Sequence, residues 1–189
     1  MPRHFPWTGR AAGDGRPAVF AIADAADAER VRRQAQEAVI AFGEELDAAA
    51  PGDHLGRSLD AYQAASMTLD AATSLADLAG VLVLVNLGRG GPPLCFFNPL
   101  HGPSARPVTW RLIGTREQLR APACPACLHA VSRHRPPEVL PDTVGTKHVP
   151  YLEVDQDRSV WAATGFGVFG DDLVDRILRG DLHRGRPGA

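Results

Sequence analysis

Three cysteines and one histidine constrain this chain more than anything else in it. Cys95 and His101 are separated by five residues; 22 residues then intervene before Cys124 and Cys127, which are separated by two. A C-x2-C pair lets two thiolates reach one ion, because the backbone turns between them. The wider first pair, in "CFFNPLHG", does the same across a turn that Asn98-Pro99 signals. Together Cys95, His101, Cys124 and Cys127 form a closed tetrahedral Cys3His set, and Zn²⁺ suits mixed sulfur and nitrogen ligands best. His129, two residues after Cys127, is the rival for fourth ligand. It would have to fold back from the same helical turn, so His101 is preferred.

The local patterns agree with such a site. "LCFFNPLHG…PVTWRL" reads as strand, turn and strand, and "CPACLHAVSRH" as a loop entering a helix, with Cys127 near its first turn. That layout resembles a treble-clef zinc finger over about residues 94–135. The pair "CFFNPLHG" and "RAPACPAC", with "LDAYQAA…LADLAGVLVLV" and "VWAATGFG", resembles an uncharacterised actinobacterial protein family over roughly residues 55–180. That resemblance implies no particular activity.

Around the site the chain divides in texture. Residues 1–17, rich in Pro, Gly and Arg, read as a flexible arm that Phe5 and Trp7 could pin. Residues 18–182 read as one α+β domain, and 183–189 as a tail. Within the domain, a helical hairpin spans 24–78 and a zinc-containing β-rich part spans 80–182. Val31, Ala35, Ala38, Val39, Phe42 and Leu46 recur at helical spacing, so a helix is expected from Asp24 to about Ala50, stopped by "PGD". A second runs from about His54 to Ala72. Ser74 with Asp77 reads as a new cap and one short turn before Gly80.

"VLVLVNL" (Val81–Leu87) is a run of β-favouring residues and reads as a buried strand. Further strands are expected at Pro107–Gly114, at His148–Val154 and, running into a loop, at Val160–Gly167. Asp171 and Asp172 open a last helix carrying Leu173, Val174, Ile177 and Leu178, and Gly180 ends it. The expected fold is α+β: an N-terminal helical hairpin packed on a small, mostly antiparallel sheet, with a treble-clef-like zinc site and a C-terminal helix. Trp110, Tyr151 and Trp161 are expected in its core or at its rim.

Bulk composition makes no case for several functions. The 20 basic and 22 acidic residues leave a net charge of −2, which makes no bulk case for nucleic acid or anionic membrane. The longest apolar run, Ala79–Leu87, is too short to span a bilayer, and no signal-peptide pattern opens the chain. A cytoplasmic location is expected, and an odd cysteine count does not suit a secreted disulfide framework. Lysine appears once, at Lys147. With the abundant Ala, Gly and Pro, this is a genome-level bias.

No catalytic set stands out. "TGFGVFG" precedes a helix but lacks the Walker lysine and the GxGxxG spacing. Asn98, His129 and His134 could be drafted into a metal-dependent nuclease, but nothing in their spacing fixes them. The expected function is therefore a zinc-stabilised, non-enzymatic interaction or scaffold module whose partner is another protein. The alternatives are a zinc-dependent hydrolase or nuclease and a thiol-based zinc redox sensor.

Overall fold

Ser74 begins the helix around which the rest is assembled. The computed structural model describes residues 18–50, 52, 54–111, 118–145 and 147–182. In it Ser74 caps α3 (Leu75–Gly88) through a full capping box: its side chain accepts from the Asp77 amide, and the Asp77 carboxylate accepts from the Ser74 amide. The expected strand at Val81–Leu87 is thus corrected to the second half of a 14-residue helix. The reason is burial. Every residue from Ala76 to Val81 is buried, as are Val83, Leu84 and Val85. A helix covered on all sides has no polar stripe, so its sequence has no 3.6-residue period to read. Each β-branched valine costs a few tenths of a kcal/mol in helix propensity. Burying it returns roughly 1.5–3 kcal/mol, so packing wins.

The two preceding helices form the expected hairpin. α1 runs Ala18–Asp47, starting earlier than anticipated, and α2 runs Leu55–Ala71. Both pack against α3 and against each other. Val31, Ala35, Val39 and Phe42 face inward from α1, and Ala61, Ala64 and Ala65 from α2. Those alanines let the helix backbones approach closely. Arg89, just past α3, closes the far end with two hydrogen bonds to Glu45 at 2.7 and 2.8 Å. Its guanidinium also lies over the Phe42 ring, 5.4 Å from the centroid. Of the expected "PGD" stop only Gly52 falls among the described residues. The arm 1–17 with Phe5 and Trp7, and the tail 183–189, lie outside them.

The remaining elements are short. β1 (Arg106–Arg111) and β2 (Gln118–Ala123) make one antiparallel pair, and β3 (Pro141–Val144) and β4 (Lys147–Pro150) make another. α4 (Pro125–Ser132) follows β2 directly. The strand expected at His148–Val154 ends at Pro150 and gives way to a 3-10 turn, Tyr151–Glu153. The one expected at Val160–Gly167 is instead α5 (Val160–Thr164), capped by the Ser159 side chain and ended by Gly165 at φ 55°. The last helix, α6 (Leu173–Leu178), falls where the leucine and isoleucine spacing places it. The fold is α+β, with six helices and two small antiparallel sheets among the described residues.

Trp161 fixes the centre. It is fully buried, and its indole N–H donates to the Asp77 carboxylate at 2.9 Å. The second Asp77 oxygen accepts from the Thr73 and Ser74 amides. A buried carboxylate is tolerated because it is fully engaged. The indole also lies against Gly80, where an added Cβ would stand 2.1 Å from a ring carbon. No other residue leaves space for the ring there.

Candidate metal centre

Two backbone segments that are distant in sequence build the site. The first is Leu94–Pro103. Leu94 and Pro103 pair in an isolated antiparallel bridge, and the Cys95 amide donates to the Gly102 carbonyl at 3.0 Å. Between them Pro99–His101 forms a single 3-10 turn. Asn98 caps it: its side-chain oxygen accepts from the Leu100 amide at 3.0 Å. Gly102, at φ 81°, makes the reversal that an L side chain resists. This turn brings Cys95 and His101 to the same side.

The second segment is the entry to α4. Cys124 is its N-cap residue, in extended geometry, with Pro125 at the first helical position. The Cys127 amide points back at the Cys124 sulfur, 3.5 Å away. The β1–β2 hairpin lies between the two segments and is stitched to the first. The Phe96 amide donates to the Pro122 carbonyl and the Ala105 amide to the Ala123 carbonyl, both at 2.8 Å.

One ligand atom from each of Cys95, His101, Cys124 and Cys127 lies within 4.8 Å of all the others. The imidazole Nδ1 stands 3.5 Å from both the Cys124 and the Cys127 sulfur. Its other nitrogen, Nε2, faces away, 3.3 Å from the Asn98 side-chain nitrogen and 3.6 Å from a Glu138 carboxylate oxygen. All three cysteines are buried and unbridged. His129, the rival ligand, is exposed on α4 and is not in the cluster.

The thiols are inequivalent. Burial raises Cys124, but hydrogen bonds to its sulfur, first that of the Cys127 amide, outweigh burial and hold it below the ordinary thiol value. Cys127 is pushed far above that value, first by burial and then by the neighbouring Cys95 sulfur. Around the cluster lie Phe96, Phe97, Val108, Ala121 and Ala123. The Trp110 ring meets Phe97 edge to face, with centroids 5.0 Å apart. Tyr151, whose hydroxyl donates to the Phe96 carbonyl at 2.6 Å, joins this small core to the helical one.

Four soft or borderline donors, three of them sulfurs, converge from two segments of the chain. That donor set suits a tetrahedral divalent ion with mixed sulfur and nitrogen ligation. Sequence reasoning did not reach Glu138. It is a single acid in a Pro-rich stretch, and no spacing rule ties it to His101. The other glycine-rich candidate, Thr164–Gly170, cradles nothing. The amides of Gly165, Phe166, Gly167, Val168 and Phe169 all donate to backbone carbonyls within the loop and α5. No protein-family model, curated protein or solved structure matches the chain. No helix among the described residues is long and apolar enough to cross a membrane.

Proposed function

We propose that Cys95, His101, Cys124 and Cys127 hold one structural Zn²⁺, and that the protein is a zinc-stabilised, non-enzymatic module that docks another protein. The observation that carries this reading is the convergence of four ligand atoms within 4.8 Å. Four protein ligands close a tetrahedral ion and leave no position for an activated water, whereas catalytic zinc keeps one open. The order of parts, a ligand-bearing turn, a hairpin, then a helix whose first turn carries the second pair, supports a treble-clef arrangement. The metal would fasten a segment that is poor in regular structure to the start of α4. The burial of all three cysteines argues against a redox sensor, since oxidation follows exposure.

Native mass spectrometry with and without a strong chelator, read alongside circular dichroism, tests the reading. One zinc per chain, lost together with ordered structure, is the expected result. A metal-free protein with three freely reactive thiols and an unchanged spectrum would overturn it. A metal-dependent turnover lost without unfolding would favour a hydrolase instead.

A further inference from the structure

The net charge of −2 hides a local imbalance. Residues 95–137 hold six arginines and a single acidic residue, Glu117. An even spread of the chain's acids would place about five there. The arginine–carboxylate ion pairs seen among the described residues all lie outside this segment: Arg30–Asp27, Arg33–Glu29, Arg89–Glu45 and Arg176–Asp172. Arg106, Arg111 and Arg120, on the β1–β2 hairpin, are all exposed.

Strand register sorts the hairpin's side chains. Val108 opposes Ala121 and Trp110 opposes Leu119, and these four pack against the cysteine cluster. Thr109 opposes Arg120 and Arg111 opposes Gln118, so these four share the other face. Arg111 and Arg120 are diagonal neighbours there, about 7–8 Å apart at the backbone. All four are exposed and polar, and the third pair on this face, Pro107 with Pro122, adds one exposed and one half-buried proline.

That composition decides the kind of partner. Protein interfaces draw their energy from buried aromatic and large aliphatic anchors, and beyond its two prolines this face has none. Shallow binding to a bilayer likewise needs apolar side chains to insert. Contact with a phosphate backbone needs only guanidinium forks and hydroxyl or amide donors. We propose that the outward face of the β1–β2 hairpin binds the phosphate backbone of nucleic acid without reading its sequence. This surface goes beyond the protein-docking role, and the zinc centre behind it would hold the hairpin rigid.

The test is fluorescence anisotropy of a labelled oligonucleotide, single-stranded or duplex, titrated with the purified full chain at about 50 and about 200 mM salt. Binding that weakens with salt is expected. Arg111→Ser with Arg120→Ser should weaken it at least about tenfold at low salt and lower the log–log salt slope by about two. Arg30→Ser with Arg33→Ser changes the net charge equally on α1 and should change nothing. Thr109→Arg should strengthen binding about threefold or more and steepen the slope by about one. No binding at low salt, or equal losses from the two double variants, would overturn the proposal. So would a preference for anionic vesicles that Thr109→Arg does not alter. Zinc content measured on the same samples separates a failed surface from a lost metal centre.

Discussion

At the scale of single residues, the site turns on which nitrogen of His101 does what. Nδ1 faces two sulfurs, and Nε2 faces Asn98 and Glu138. Since Leu100 occupies the Asn98 side-chain oxygen, the amide presents its N–H₂ group to the imidazole. A metal on Nδ1 requires the proton on Nε2, and the Glu138 carboxylate, 3.6 Å away, faces that nitrogen. Such outer partners typically change metal affinity 10–100-fold. Glu138→Gln should therefore weaken zinc binding by about tenfold in a competition titration with a chromogenic chelator. Cys124→Ser or His101→Ala should weaken it by at least about 100-fold, since a ligand itself is gone. Affinity should also fall as pH drops. Each thiol must lose a proton to bind, and Cys127, held far above its ordinary value, enters as the thiol. Proton release on metal addition, read with an indicator dye, should be at least about one per ion. Asn98 and Pro99 were legible as a turn, and the spacing of Cys95, His101, Cys124 and Cys127 as a set that could converge. Glu138 was not, because its role depends on where the chain returns after α4.

At the scale of elements, α3 carries the argument. Its capping box was readable in Ser74 and Asp77, but its length was not, because "VLVLVNL" suits a buried strand as well as a buried helix. What selects the helix is the set of neighbours: α1 and α2 on one side, α5, β3 and the Pro99–His101 turn on others. Gly80 records this choice. Gly80→Ala would raise helix propensity by about 1 kcal/mol in an isolated helix. Here the new methyl meets the Trp161 ring, so the variant should lose about 3 kcal/mol in urea unfolding. Trp161→Phe removes one donor from the buried Asp77 carboxylate and should cost about 1–3 kcal/mol. A thermal shift smaller for either variant than for an exposed control such as Leu59→Ala would contradict this account. The same tertiary override explains α5, five residues long and committed to helix by the Ser159 cap and the burial of Trp161.

At the scale of the whole molecule, two cores meet. One joins α1, α2, α3, α5 and α6, and the other wraps the cysteines. They are linked by the Tyr151 hydroxyl on the Phe96 carbonyl and by the Leu140 amide on the Phe97 carbonyl. Hydrogen exchange should register the division. Chelation should expose the amides of Phe96, Ala105 and Leu128, while those inside α3 change by less than about tenfold. Uniform loss of protection would mean one cooperative unit. By itself the sequence determined the α+β class, the helical hairpin, the last helix and the Cys95, His101, Cys124 and Cys127 set that the fold brings together. Those rest on short-range signals: helical periodicity, caps, and ligand spacings that one turn can close. Only the tertiary structure decided that Val81–Leu87 is helical and that Glu138 stands behind His101. Each of these depends on contacts between residues far apart in the chain. A buried segment keeps no record in its own pattern of which neighbours surround it, so packing had to settle what periodicity left open.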